Sequence, residues 1–155
     1  MSLLGVDIGT TGAKAVAFGV DGQPLGYAYR EYDVLAPCPG WAELDPECLL
    51  NSVETVIGLA ARGAADKGDT VTALAIASLG AAFVPVNAEG QPVYSCMVAQ
   101  DARAGQEAAW WAETFGRERL CGITGLPLDI HYPLFKITWL SQHRPDVFAS
   151  AALFL

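Results

Sequence analysis

Leu3-Leu4-Gly5-Val6-Asp7-Ile8-Gly9-Thr10-Thr11-Gly12-Ala13-Lys14-Ala15-Val16-Ala17-Phe18 is the stretch whose reading decides the fold. An apolar run carries one acid, Asp7, near its end, breaks into a turn of glycines and threonines, and resumes as a second apolar run holding Lys14. The six residues Ala13 to Phe18, ended by Gly19 and Asp21-Gly22, are too few for a typical helix and suit a strand. The spacing therefore predicts two strands joined as a hairpin. A Walker A loop is excluded because Ala13 separates Gly12 from Lys14, and the three-glycine dinucleotide fingerprint is absent. Glycines allow positive φ and close ligand approach, successive N–H groups of such a turn seat an anion, and threonine hydroxyls add donors. An acid beside bound phosphate is repulsive unless a cation lies between, so Asp7 points to Mg²⁺ with a nucleotide phosphate. The plainer alternative is a Gly-rich hairpin with a solvated Asp.

At 155 residues and 52% hydrophobic content the chain suits one core. No apolar run approaches the about 20 residues that span a bilayer, and the start lacks a basic leader. No membrane partner and a cytoplasmic location are expected. Nine basic against seventeen acidic residues, net −8, argue against nucleic acid as a partner. Cys38, Cys48, Cys96 and Cys121 show no paired spacing and read as reduced thiols.

Beyond the hairpin, Gln23 to Tyr32 reads as a third antiparallel strand after the Asp21-Gly22 turn. Asp45-Pro46-Glu47 is a helix start, with Leu49, Val53, Val56, Ile57 and Ala60 on one face, fraying from Gly63 to Gly68. Thr70 to Ala77 is apolar on both faces and is expected to lie as a strand beneath helices. Ser78 to Ala82 is a turn, Phe83 to Val86 a short strand, and Asn87 to Val93 repeats the chemistry of Val20 to Leu25. Tyr94 to Val98 is apolar. Ala104 to Phe115 reads as a helix closed by Gly116, with Trp110 and Trp111 in a core or interface. Leu120 to Leu128 reads as loop, Pro133 to His143 and Pro145 to Ser150 as helices, and Ala151 to Leu155 as a strand beginning.

A phosphate hairpin opening a three-stranded meander, then a helix, then an apolar strand, resembles the ribonuclease-H-like fold shared by actin-type and chaperone-type ATPases and sugar kinases. Four further stretches select the FGGY carbohydrate kinases, whose members include xylulokinase, gluconokinase and glycerol kinase types. Gly40-Trp41-Ala42-Glu43-Leu44-Asp45-Pro46 resembles their Gly-Trp-x-Glu-x-Asp-Pro segment. Ile76 to Gly80, with Val84-Pro85-Val86 and Gly90-Gln91-Pro92, is similar to their sugar-side strands. Asp101-Ala102-Arg103 resembles their Trp-x-Asp-x-Arg, and Thr124-Gly125 with Lys136 and Trp139-Leu140 their Thr-Gly…Lys-x-x-Trp-Leu region.

The resemblance implies an α/β, actin-like domain with a mixed sheet and flanking helices, and ATP-dependent phosphorylation of a hydroxyl on a sugar, polyol or sugar acid. It places Asp7 at Mg²⁺, and Gly9, Thr10, Thr11, Gly12 and Lys14 at the nucleotide. Ser78, Leu79, Gly80, Ala81, Asp101 and His131 would meet the substrate. Asp101 also reads as a helix N-cap, and His131 as a surface-loop residue. Four positions depart from the pattern. Gly80 and Ala81 stand where glycerol kinases carry an Arg-Glu pair, Ala99 where the family carries tryptophan, and His131 where glycerol kinases carry tyrosine. Residues 1–155 are expected to be the N-terminal domain, stopping before its end, with the C-terminal domain absent. The catalytic aspartate is expected beyond Leu155, so this fragment alone is expected to be inactive. A non-catalytic sugar- or phosphate-binding remnant is the alternative. Association of copies, as a homodimer, is a further expectation, with Trp110-Trp111 and the chain end at Leu155 as candidate surfaces.

Overall fold

The computed structural model describes residues 1–155 as two compact units, Met1–Val34 with Asp45–Leu79, and Leu35–Leu44 with Gly80–Leu155. In the first, β1 (Ser2–Ile8), β2 (Gly12–Gly19) and β3 (Pro24–Glu31) form the antiparallel meander. The helix α1 (Pro46–Ala65) follows. After it, β4 (Glu43–Leu44) being set in the other unit, β5 (Val71–Ser78) returns parallel to β1, and the sheet order is β3-β2-β1-β5. Period-two alternation sorts the faces: Leu4 and Val6 of β1 and Ala13, Ala15 and Ala17 of β2 are buried, whereas Leu3, Lys14 and Phe18 are exposed.

Asp45 caps α1, accepting from the backbone N–H of Glu47 at 2.9 Å and Cys48 at 3.2 Å, with Pro46 in the first turn. Its buried stripe is Ser52, Val53, Val56, Ala60 and Ala64, while Leu49 and Ile57 are only half-buried. The helix runs through Gly63 rather than fraying there. An added Cβ on Gly63 would lie 2.8 Å from the Cα of Gly26, so this glycine permits the close crossing of α1 over β3.

The expected burial of β5 is overturned. Thr72 to Ser78 are all exposed, Leu74 and Ile76 each at 54%. The strand is the sheet edge, and α1 lies over β1, β2 and β3 but barely reaches it. Within these 155 residues its apolar side chains are uncovered. Replacing both Leu74 and Ile76 by Thr, which keeps β propensity, should change stability by less than about 1 kcal/mol. The same pair should reduce self-association in sedimentation velocity.

The second unit holds β4, β6 (Pro85–Val86), β7 (Cys96–Met97) and β8 (Leu153–Phe154) with α2 (Gly105–Trp111), α3 (Arg117–Thr124), α4 (Pro133–His143) and α5 (Pro145–Ser150). β4 pairs with β7 and β6 with β8, all antiparallel. The chain end is thus a strand, as its apolar run implies. The runs Phe83 to Val86 and Tyr94 to Val98 shorten to two-residue strands, with Phe83 bridged singly to Met97. The helix from Ala104 divides at Trp111, followed by a π-helical turn, Ala112–Gly116. Leu120 to Leu128 is not all loop: α3 occupies its first half and ends on Gly125 at φ 72. Buried Leu120 anchors that helix, which outweighs the interior Gly122, a residue costing about 1 kcal/mol relative to Ala. Trp111 donates its indole N–H to Thr138 Oγ1 at 3.0 Å, and Trp110 is half exposed. The four cysteines are free thiols, with burial pushing Cys96 up to about 11. No helix is long and apolar enough to cross a membrane.

Candidate functional site

In the first unit, the hairpin register sets Asp7 opposite Lys14, with Lys14 Nζ 3.3 Å from Asp7 Oδ2 and both side chains about half exposed. The turn between them is closed by Gly9 N–H donating to Gly12 C=O at 2.9 Å. Tyr32 braces it from β3's end: its hydroxyl donates to Gly9 C=O at 2.6 Å and its N–H to Thr11 C=O at 3.2 Å. Neither Gly9 nor Gly12 has positive φ, so conformational freedom is not what these glycines supply. Gly12 is needed for close approach, since a Cβ there would lie 2.8 Å from both Arg30 C=O and the Tyr29 ring. The parallel register places Ile8 beside Ser78, so the hairpin turn and the end of β5 share one edge of the sheet. Asp7, Gly9, Thr10, Thr11, Gly12, Lys14 and Ser78 are therefore brought together, with Leu79 next in the chain.

This donor set fits magnesium carried by a nucleotide. No group of three His, Cys, Asp or Glu side chains forms a cage. Mg²⁺ characteristically takes one or two carboxylates, fills its shell with water and substrate phosphate, and needs no cage. Asp7 is a solvent-accessible carboxylate already partnered by a cation, which is the environment such an ion would take over.

In the second unit, Gly80 and Ala81 begin the turn before β6. Ala81 is the non-glycine residue at positive φ, 55°, a conformation costing about 1–2 kcal/mol. A Cβ on Gly80 meets nothing within 4 Å, so the missing side chain leaves open space. His131 is half exposed on the segment before α4, with its ring Nδ1 bonded to Asp129 Oδ1 and its N–H donating to the same oxygen at 3.0 Å. Those bonds, backbone first, hold the Asp129 carboxyl below its usual range.

Asp101 needs correction. It is fully buried and takes a backbone N–H ahead of Ala104, that of Arg103, as the capping alternative expected, but the N-cap position of α2 itself is Ala104. Its Oδ2 accepts from Ala42 N–H at 2.7 Å and Arg103 Nη2 at 2.6 Å, and its Oδ1 from Arg103 Nε at 2.8 Å and Arg103 N–H at 3.1 Å. With both oxygens engaged and no solvent access, Asp101 has no free face for a polyol. The sequence reading missed the group it serves. Arg103 Nη2 also meets Glu43 Oε1 at 2.5 Å, and its guanidinium lies 3.7 Å from the Trp41 ring and 5.0 Å from that of Trp139. Burial opposes the Arg103 charge, yet bonds from Asp101 and Glu43 outweigh it and raise its pKa. The signal was present as Trp-x-Glu, Asp-x-Arg and Lys-x-x-Trp, three segments whose charges and aromatics are complementary. Lys136 lies near, with burial lowering its pKa to about 8 against the pull of Asp101.

A sheet of order 3-2-1-5 with a glycine–threonine hairpin at its edge, an acid and a lysine facing each other, defines an α/β domain of the actin-like class. The family model for the FGGY family of carbohydrate kinases, N-terminal domain, matches residues 2–155, and the chain belongs to that family. A glycerol kinase of Methylorubrum extorquens is 33% identical over 149 residues, covering 94% of this chain and 29% of the relative. A solved xyloylose kinase from Brucella ovis superposes with TM-score 0.91 at 26% identity, over 100% of this chain and 32% of that one. A xylulose kinase from Rhodospirillum rubrum gives TM-score 0.94 at 24% identity, over 99% and 32%, a likeness of fold. The chain thus spans about a third of the length of these proteins.

Proposed function

We propose that residues 1–155 form the N-terminal portion of an enzyme that transfers phosphate from ATP to a hydroxyl of a sugar, polyol or sugar acid. The observation that carries it is the Asp7–Lys14 pair flanking the Gly9–Gly12 turn, beside Ser78. Asp7 would hold Mg²⁺ through its carboxylate, while Thr10, Thr11, the turn's backbone and Lys14 would meet phosphate oxygens. Bound magnesium supplies neutralisation of the charge that spreads over a transferring phosphoryl group. The residues proposed to meet the acceptor are Ser78 and Leu79 in the first unit and Gly80, Ala81 and His131 in the second; Asp101, buried with both oxygens engaged, would serve them only as an internal anchor. Family membership and the similarity to glycerol and xyloylose kinases support this acceptor class. No residue of 1–155 is assigned as the base that takes the acceptor's proton, so transfer belongs to a chain of the relatives' full length.

Titrating the chain with ADP and magnesium tests the site. Asp7→Asn, or withdrawal of magnesium by EDTA, should weaken ADP binding at least about tenfold, or 1.4 kcal/mol. Binding undiminished by either change would remove Asp7 from the nucleotide site. A second reading, a binding remnant without transfer, is favoured by the bare Gly80 and Ala81. Sugar phosphorylation by a full-length form would exclude it.

A further inference from the structure

Lys136 is a charged residue with no solvent exposure, set in the middle of α4 between buried Phe135 and Trp139. Its partners are backbone carbonyls rather than a carboxylate. Nζ donates to Val98 C=O at 2.6 Å, with longer contacts to Ala81 C=O at 3.4 Å and Ala99 C=O at 3.5 Å. The nearby acid Asp101 has both oxygens committed to Arg103 and Ala42. A buried ammonium is a poor way to fill space, because an apolar side chain of similar volume packs without desolvating a charge. What a methionine there could not do is bind several carbonyls from two separate segments at once.

Both segments matter to the acceptor site. One is the turn in which Ala81 takes a left-handed conformation that an alanine does not hold unaided. The other carries Ala99, where a larger side chain is absent. With no polar side chain at Gly80 or Ala81, the shape of this wall is a backbone shape, and something must hold it. We propose that Lys136 is a positioning residue that clamps the Gly80–Ala82 turn to Val98–Ala99 and so fixes the wall facing the acceptor. Its link to an acceptor rests on the function proposed above; the clamp itself does not.

The test separates the two. Lys136→Met is compared with the wild-type chain by amide hydrogen exchange and by calorimetric titration with glycerol and D-xylulose. Exchange at Phe83, Val98 and Asp101, whose N–H groups donate to Met97, Ala42 and Val98, should accelerate at least about tenfold, while Thr138 to Leu140 in α4 keep their protection. Adding Ala81→Gly, which takes positive φ without strain, should recover part of the lost protection at Phe83. The probe that binds wild type should bind Lys136→Met about tenfold more weakly. Unchanged loop exchange in a folded Lys136→Met overturns the clamp, and equal sugar affinity despite an opened loop overturns its positioning role. Neither probe binding the wild type, with the loop still responding, sinks these acceptors and leaves the clamp standing. Should Lys136→Met fail to fold, Lys136→Gln keeps a donor and drops the charge. Its loop exchange should fall between wild type and unprotected, and exchange identical to wild type would again overturn the clamp.

Discussion

Arg103→Ala is expected to destabilise the second unit by about 3–5 kcal/mol, because it leaves two buried acids, Asp101 and Glu43, without their cation. The loss should appear as a lower denaturation midpoint at unchanged slope. Three effects act together: Asp101 loses two charge-assisted bonds, Glu43 its short one, and Trp41 the guanidinium over its face. Arg103→Lys should recover only a minor part, since one ammonium cannot reproduce a fork that binds two carboxylates and stacks on a ring. Arg144→Ala, which removes an exposed pair with Asp146, is the control and should shift the midpoint immeasurably. An Arg103→Ala midpoint as mild as that control would show that the cluster is not what ties residues 41–43 to residues 101–103.

Gly26→Ala should be the most damaging small substitution in the first unit. A Cβ at Gly26 would sit 2.0 Å from the carbonyl oxygen of Ala60, inside any permissible contact. The obstructing atom is helix backbone, so relief requires α1 to lift from β3. Overpacking of this kind costs about 1–3 kcal/mol, and here the upper end is expected because one methyl separates two whole elements. Gly26→Val should exceed it. Gly80→Ala is the matched control, with nothing within 4 Å to meet, and should be near neutral. Equal denaturation midpoints for Gly26→Ala and Gly80→Ala would refute the tight crossing.

The meander, the existence of β5 as a strand and the capped start of α1 were all legible because each rests on local chemistry. Apolar alternation, the Asp21-Gly22 turn and Asp45-Pro46 act over a few residues, and local preferences there agree with the final fold. The first hairpin was legible for the same reason, and its register, seen in the structure, sets Asp7 opposite Lys14. Leu120 to Leu128 misled because Gly and Pro were read as breakers throughout. Tertiary burial of Leu120 kept a helix running across Gly122 as far as Gly125.

What the chain's order of residues determined unaided was the class of fold, its family and the hairpin on which a phosphate site is proposed. Only the tertiary structure decided that Asp101 is an internal anchor, that Lys136 grips three carbonyls, and that β5 lies bare along its length. Those facts depend on contacts between residues 37 to 59 positions apart, or on how far a helix reaches across a sheet. An apolar strand reads the same whether covered or not, and a carboxylate reads the same whether it faces a ligand or a buried guanidinium. Burial and charge pairing are properties of the neighbours, and the neighbours are chosen by folding.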